Sequence, residues 1–163
     1  MPYSHLPPVE EFTVDSPDVA DGVSLGPAQL HTFLGGGNTA PTLSWSGFPE
    51  GTAGFAVTCF DPDAPTPCGF WHWLVVDIPA NATTLSPVSL PEKAFCLRND
   101  FGNHGFDGCA ARPGSGHHRY VFAVHALDTE TLGIGPETSA AMASAHLTAH
   151  TIGRALLTPV YTA

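Results

Sequence analysis

The fold is decided by two stretches of sequence, DPDAPTPCGFWHWLVVDIP at residues 61–79 and HHRYVFAVHALD at residues 117–128. Each stretch begins with acidic or imidazole side chains in a turn and continues as aromatic and β-branched residues, which is typical of a β-strand. If the two predicted strands pair, the polar side chains at their starts can meet in one small pocket. The candidate pocket residues are Asp61, Asp63, His72, His118 and Tyr120.

Three segments predict β-strands, at residues 53–60, 71–78 and 119–127. The first, AGFAVTCF, is apolar on both faces, which predicts a central strand. It ends at the Asp-Pro step of residues 61–62, because proline cannot donate to a β-ladder and restricts the residue before it. A glycine-rich loop at residues 99–116 precedes the third strand, and a loop of that length inside a compact domain indicates function.

The alternation of side chains along a strand assigns each residue to a face. In the second strand, His72 begins an apolar row with Leu74, Val76 and Ile78, and Trp73 lies opposite. In the third, His118 lies on one face with Tyr120, Phe122 and Val124. Its neighbour His117 lies on the other face, so the pattern predicts that only one of these two histidines serves the pocket.

A helix is predicted near the end of the chain. From Thr138, apolar or small residues recur at steps of three and four, the spacing of one helix face: Met142, Ala145, Ala149, Ile152 and Leu156. Thr138 or Ser139 can cap the start, and Pro159 ends the helix. Arg154 would then lie near the C-terminus of this helix, where a positive charge interacts favourably with the helix dipole. These elements predict one domain over residues 1–163, mainly antiparallel β with one long helix.

Composition excludes several classes of function. The 163-residue chain has a formal net charge of -10 and five basic residues. Nucleic-acid binding needs clustered Lys and Arg, and the same deficit disfavours docking on an anionic membrane. No stretch approaches the ~20 apolar residues of a membrane span, and no secretory signal is visible, so a cytoplasmic protein is expected. The four cysteines are widely spaced and predict separate thiols: Cys59, Cys68, Cys96 and Cys109.

Each polar residue also has a purely structural interpretation. Asp61 and Asp63 flank a proline, where carboxylates commonly accept turn N–H groups. His72 can be a hydrogen-bonded core histidine. If the residues do form a site, anion recognition would use a carboxylate-held imidazolium, a tyrosine hydroxyl and loop N–H groups. Metal binding through two Asp and two His is disfavoured, because no tight ligand cluster is visible.

A third possible chemistry is acid–base or nucleophilic catalysis. Cys109 or Ser115 would be the nucleophile, with His118 or His72 as its base. Nothing in the sequence activates either nucleophile, and a lone cysteine in a glycine-rich loop is more often inert.

The motifs together resemble the phosphatidylethanolamine-binding protein family, in its bacterial Raf-kinase-inhibitor-like branch. The resemblance is carried by DPDAPT, GFWHWLVVDIPA, NDFG, GFDG and HRYVFAVHALD, with APTLSWSGFPEGTAGFAV upstream, and it covers roughly residues 12–157. It implies a large antiparallel sheet packed with a smaller sheet, a C-terminal helix, and a small pocket that binds phosphate, acetate and similar anions. Bacterial members are often dimers, so a homodimer is expected.

The resemblance also assigns the pocket residues. The family's aspartate falls on Asp61 and its companion acid on Asp63, while its histidine before the apolar strand falls on His72. The HRY histidine and tyrosine fall on His118 and Tyr120.

The chain departs from the family in the loop before HRY. The family commonly has a glycine followed by a Pro-Cys-Pro-Pro type run, whereas Gly108 is followed here by Cys-Ala-Ala-Arg-Pro. Fewer prolines make this rim more mobile. Arg112 stands where the family tends to have an apolar ring, so it is expected either to add an anion contact or to close the mouth of the pocket.

The leading hypothesis is a binding module for small anionic or phosphorylated ligands, without cofactor or metal. One alternative is an enzyme that reuses the pocket for acid–base chemistry on a small metabolite, with Asp61, His72, His118 and Cys109 as reactive groups. Another is a kinase or protease inhibitor that engages a protein partner through surface loops. The predicted ligand-binding residues are Asp61, Asp63, His72, Trp73, Gly108, Arg112, His118 and Tyr120.

Overall fold

The computed structural model describes residues 1–163 and is built around a six-stranded sheet. From one edge to the other its strands are β1 (Glu10–Glu11), β10 (Thr151–Leu157), β9 (Val121–Leu127), β4 (Gly54–Asp61), β5 (Phe70–Pro79) and β7 (Phe95–Cys96). All neighbours are antiparallel except β1, which runs parallel to β10. The large sheet is therefore antiparallel, as predicted, except for the parallel pair at this edge.

Two smaller sheets accompany the large one. One contains β2 (Thr13–Asp15), β3 (Leu43–Ser46) and β6 (Thr84–Leu85), and the other pairs β8 (His117–Arg119) with β11 (Val160–Thr162). Apolar side chains of the three-stranded sheet and of one face of the large sheet form the main core. Its members include Leu43, Trp45, Phe55, Val57, Val75, Leu85, Phe122 and Val124.

The helix α1 (Ala140–His150) covers the opposite face of the large sheet. Its buried residues Ala143 and Leu147 join a second core with Ala56, Leu74 and Val76. The predicted apolar face of this helix is wrong, because Met142, Ala145 and Ala149 are exposed and the residues that face the sheet are Ala143 and Leu147. No helix has both the length and the apolar character needed to cross a membrane.

The predicted extent of this helix is wrong at its C-terminal end. Ser139 caps the start, where its Oγ accepts from the Met142 N–H at 3.2 Å. The helix stops at His150, and Thr151–Leu157 form β10 between β1 and β9. Apolar residues at 152 and 156 fit a strand as well as a helix, and the sequence Thr-Ile-Gly is unfavourable inside a helix. Arg154 is therefore a strand residue and does not interact with the helix dipole.

Two bulges in β5 change the predicted assignment of its faces. Cys59 of β4 pairs with Trp73, and the next residue, Phe60, pairs with Trp71. His72 is therefore an extra residue without a partner on β4, and its side chain points to the same side of the sheet as Trp73. A second irregularity lies near Asp77, which has a positive φ of 55°. Contrary to the predicted alternation, His72 lies on the opposite side from Leu74 and Val76, because strict period two fails at a bulge.

The third predicted strand is divided at Tyr120. Residues 117–119 form β8, and the chain then enters the large sheet as β9, which pairs with β4 and β10. Tyr120, Phe122 and Val124 all lie in the main core, as the alternation predicted. This division brings His118 to the end of β4.

Candidate functional site

Asp61 and His118 form a buried hydrogen-bonded pair at the end of the large sheet. Asp61 is the last residue of β4 and His118 is the central residue of β8, and the two side chains are about 4% and 3% exposed. His118 Nδ1–H donates to Asp61 Oδ2 at 2.8 Å. The other carboxylate oxygen accepts the backbone N–H of Asp63 at 2.8 Å, so the Asp-Pro-Asp turn fixes the carboxylate. The imidazole therefore has one orientation, and its Nε2 is directed away from Asp61.

The loop before β8 covers the Nε2 side of His118. Ser115 Oγ lies 2.9 Å from His118 Nε2, and Ser115 itself is exposed. Gly114 and Gly116 flank it with φ of 83° and 90°, a left-handed conformation that favours glycine. Hydroxyl, imidazole and carboxylate thus stand in one hydrogen-bonded row. Ser115 is predicted from the sequence only as a possible nucleophile, with His118 or His72 as its base, and the structure adds that it contacts His118.

His72 is held as a neutral imidazole. Its Nδ1–H donates to the backbone carbonyl of Asp107 at 2.8 Å, and the ring packs edge-on against Tyr120 at 5.2 Å between centroids. Burial lowers the pKa of His72, and the hydrogen bond to the Asp107 carbonyl only partly opposes this. With Nδ1 protonated, the second ring nitrogen of His72 is a hydrogen-bond acceptor.

Asp107 organises the glycine-rich loop. Its carboxylate accepts from the side-chain amides of Asn38, Asn99 and Asn103 at 2.9, 2.7 and 2.8 Å, and His31 Nε2 lies 3.7 Å away. Burial acts to raise the pKa of Asp107, but the three amides and His31 outweigh it and the pKa is lowered. Asp107 is not among the site residues predicted from the sequence, where it belongs to the family motif GFDG. The one sequence feature that could have indicated it is an acidic residue between Gly105 and Gly108 in a long loop.

Tyr120 and Cys109 are joined in the interior. The Tyr120 hydroxyl donates to Cys109 Sγ at 2.9 Å, and both side chains are buried. Burial raises the pKa of Cys109, and also that of Tyr120, whose hydrogen bond to Cys109 adds to the effect. Cys109 is therefore a neutral thiol, which counts against its suggested role as a nucleophile.

These side chains enclose a narrow cleft next to the Asp61–His118 pair. The residues that line it are Leu25, Gln29, Cys59, His72, Phe106, Asp107, Cys109, Tyr120 and Phe122. The space is too tight for a water molecule. Asp61 and His118 do not line this cleft but adjoin it through Tyr120, whose ring stacks 6.4 Å from that of His118.

Asp63 is directed toward Arg119 rather than toward the cleft. Arg119 Nε and Nη2 donate to its two carboxylate oxygens at 2.8 and 2.9 Å, and the Arg119 backbone N–H adds a third bond at 2.9 Å. This arginine lowers the pKa of Asp63. The pair ties the turn after β4 to β8, so Asp63 helps to position His118 and has no oxygen left without a partner.

The other predicted ligand residues take up different places. Trp73 is buried in the core, where its ring lies edge-on to Phe106 at 5.6 Å. Gly108 donates its N–H to Asn38 Oδ1 at 2.7 Å, and a Cβ there would lie 2.2 Å from the Gln29 carbonyl oxygen. Arg112 is exposed on the rim and does not line the cleft. The structure therefore brings together Asp61, His118, Tyr120 and His72. The other predicted ligand residues lie around this group: Asp63, Trp73, Gly108 and Arg112. No group of three His, Cys, Asp or Glu side chains is arranged to hold a metal ion.

Comparison with known proteins identifies relatives of this chain and the family to which they belong. The sequence model described as phosphatidylethanolamine-binding protein matches residues 15–162. Two curated relatives come from Escherichia coli K12. The chain is 45% identical to YbcL over 160 positions, covering 92% of this chain and 87% of YbcL. It is 40% identical to YbhB over 154 positions, covering 90% of this chain and 97% of YbhB.

Solved structures agree with this assignment. The crystal structure of E. coli YbcL, described as a member of the mammalian PEBP family, superposes with a TM-score of 0.88 at 44% identity, over 92% of this chain and 97% of YbcL. A PEBP homologue from Chlamydia trachomatis shares the fold with a TM-score of 0.79 at 22% identity, over 93% of this chain and 97% of that one. With the family model spanning nearly the whole chain, this protein belongs to the phosphatidylethanolamine-binding protein family.

Proposed function

We propose that this protein binds a small anionic or phosphorylated ligand at His118. The observation that carries the proposal is the carboxylate–imidazole pair, in which Asp61 fixes Nδ1–H and leaves Nε2 directed at the rim loop. An imidazole whose Nδ1–H is already used can offer a second donor only in its protonated form. Protonated His118 would present an Nε2–H donor to an anion, and hydrogen bonds between charged groups are stronger than neutral ones.

The residues around His118 favour a small ligand that displaces Ser115 of the rim loop. Ser115 Oγ occupies the hydrogen-bonding position at Nε2 that an anion oxygen would take. Ser115 is exposed and lies between two glycines, so its displacement disrupts no core packing. The adjoining cleft around His72 and Tyr120 has no room for a ligand, so the ligand would approach His118 from the rim as a small group such as phosphate, a carboxylate or phosphoethanolamine.

Isothermal titration calorimetry with inorganic phosphate, phosphoethanolamine and acetate tests the proposal. His118→Gln should weaken phosphate binding at least tenfold, because charged hydrogen bonds contribute about 1.5–3 kcal/mol. The matched control is His117→Gln: His117 is the adjacent residue of β8, is exposed and is hydrogen-bonded to Thr162. Equal phosphate affinity in wild type and in a folded His118→Gln variant would refute the proposal.

The row Ser115–His118–Asp61 favours a second candidate, a hydrolase or acyl transferase with Ser115 as nucleophile. A hydroxyl 2.9 Å from an imidazole that is itself held by a carboxylate is the arrangement that activates serine. Reaction with a fluorophosphonate probe distinguishes the two candidates. Labelling of wild type and its loss in Ser115→Ala would indicate an enzyme. A binding module instead remains unlabelled, and Ser115→Ala keeps or increases its phosphate affinity, because a competing hydroxyl has been removed.

A further inference from the structure

A second cavity lies on the opposite side of the large sheet from the core that contains His72 and Tyr120. Its volume is about 290 Å³, at the lower end of the range for small-molecule sites. Helix α1, the sheet and the first residues of the chain enclose it. Its apolar and aromatic walls are formed by Tyr3, Leu6, Phe60, Trp71 and Leu147.

Arg154 of β10 lines this cavity as a buried cation without a carboxylate partner. It is only 9% exposed, yet it forms no ion pair. Its Nε–H donates to His125 Nδ1 at 3.3 Å, and its guanidinium carbon lies 4.5 Å from the centre of the Tyr3 ring. The two terminal nitrogens have no acceptor within the protein. Glu11, its neighbour across the β1–β10 ladder, is exposed and does not reach it.

A set of neutral groups holds this guanidinium in place. His125 accepts from Arg154 through Nδ1, so its Nε2–H donates to Thr58 Oγ1 at 2.9 Å. Thr58 is in turn hydrogen-bonded to the Tyr3 hydroxyl at 3.2 Å. Burial, together with Arg154, lowers the pKa of His125 to about 3, which leaves the imidazole neutral. None of these groups compensates the charge of Arg154.

The cavity therefore combines apolar walls with one uncompensated positive charge. A guanidinium with little access to water and no opposite charge beside it is poorly compensated, and an anion bound at Arg154 would supply the missing partner. No Asp or Glu lines the cavity to repel such an anion. The planar guanidinium matches a carboxylate through two parallel hydrogen bonds. A phosphate dianion would bring a second negative charge into a cavity that has a single permanent cation.

We propose that this cavity is a binding site for a small amphiphilic monocarboxylate, such as a short or medium-chain fatty acid. The carboxylate pairs with the terminal nitrogens of Arg154, and the hydrocarbon part contacts Phe60, Trp71 and Leu147. The volume restricts the occupant to one short chain. This site is separate from the His118 pocket and does not depend on the function proposed for it.

Calorimetry with octanoate, using octanol as its uncharged analogue, tests this assignment on the full-length protein. With inorganic phosphate present at a saturating concentration to occupy the His118 site, octanoate should bind with one site per chain, and octanol at least tenfold more weakly. Arg154→Met should weaken octanoate binding at least tenfold. Because this change alters a buried network, a second variant leaves Arg154 intact: Ala145→Phe places a ring into the cavity from an exposed helix position and should also abolish binding.

Two control variants complete the test. Met142→Phe changes an exposed residue of the same helix outside the cavity and should bind octanoate like wild type. His118→Gln should also leave octanoate affinity unchanged. The proposal is overturned if wild type fails to bind octanoate or binds octanol equally well. It is also overturned if folded Arg154→Met and Ala145→Phe variants bind octanoate normally, or if His118→Gln alone abolishes binding.

Discussion

His118 Nδ1 and Asp61 Oδ2 are 2.8 Å apart, and neither side chain has appreciable access to solvent. Because Nδ1–H already donates to Asp61, an anion at Nε2 requires a second proton on the ring. The ring that holds an anion at Nε2 should therefore carry both protons. Sulfate is a suitable probe, since it does not itself titrate near neutral pH.

Calorimetry of sulfate binding to wild type and to Asp61→Asn measures what the Asp61–His118 pair contributes. Asp61→Asn should reduce sulfate affinity about tenfold or more, because the neutral amide does not stabilise the imidazolium. Sulfate affinity that is unchanged by Asp61→Asn would show that the Asp61–His118 pair does not hold the anion.

Arg112 should contribute little to anion affinity. The sequence suggested that it either adds an anion contact or closes the pocket mouth, and the structure places its side chain on the exposed rim, away from the cleft lining. An exposed charge interacts weakly and is screened by salt. Arg112→Ala should therefore change phosphate affinity by less than about threefold at physiological ionic strength. A tenfold loss in the same titration would mean that Arg112 folds inward over the bound ligand.

The carboxylate of Asp107 should be needed for stability. Three amide donors converge on it, and Asp107→Asn would replace one acceptor by a further donor. An unsatisfied buried polar group costs about 1–3 kcal/mol, so the free energy of unfolding should fall by at least that amount. Urea unfolding at pH 7 measures the loss, with Glu130→Gln, an exposed acid outside any ion pair, as the control.

The pH dependence of the Asp107 contribution has a definite sign. The pKa of this carboxyl is lower in the folded protein than in the unfolded chain, so its stabilising effect is complete above the unfolded value of about 3.9 and is lost as the pH falls through the folded value. Asp107→Asn should therefore be destabilising at pH 7, and its difference from wild type should shrink at strongly acidic pH. A difference that does not change with pH would show that packing, and not the charge, is responsible.

The thiols should differ in reactivity. Cys68 is exposed, whereas Cys59 and Cys109 are buried and Cys96 is partly buried. Burial raises the pKa of the last three, so few of them are thiolates at neutral pH. Ellman's reagent should modify one thiol rapidly in the native protein and four after denaturation. Cys68→Ser should remove the rapid phase, and a rapid phase that survives this change would indicate an activated cysteine elsewhere.

Sequence alone predicted the central strands and the proximity of Asp61 to His118, because these depend on side-chain alternation and on the Asp-Pro turn. It failed where the backbone departs from regular geometry. The bulge at His72 moves this side chain to the other face of the sheet, and no local feature of the sequence indicates the bulge. The segment from Thr151 to Leu157 has an apolar pattern that is compatible with both a helix and a strand. Contacts over long sequence separations, such as Arg154 with Tyr3, depend on the arrangement of the whole sheet and could not be read from spacing.

His125 should make the protein less stable in mild acid. Its pKa is lowered to about 3 in the folded protein, first by burial and then by Arg154, whereas an unfolded histidine titrates near 6.5. The unfolded state therefore takes up a proton that the folded state excludes. The contribution of His125 is complete above pH 6.5 and declines by up to about 1.4 kcal/mol per pH unit between 6.5 and 3.

Urea unfolding between pH 7.5 and 4.5 measures this slope. His125→Gln can retain an acceptor for Arg154 and a donor for Thr58 without a titrating ring, so its free energy of unfolding should fall less steeply with acid. His72, whose pKa burial also lowers, accounts for part of the remaining slope. His146→Gln on the helix surface is the matched control and should keep the wild-type slope. If the free energy of unfolding of His125→Gln and of wild type depended equally on pH, His125 would be protonated in an otherwise native fold. Acid would then break the hydrogen bonds among Arg154, His125 and Thr58 before the protein unfolds.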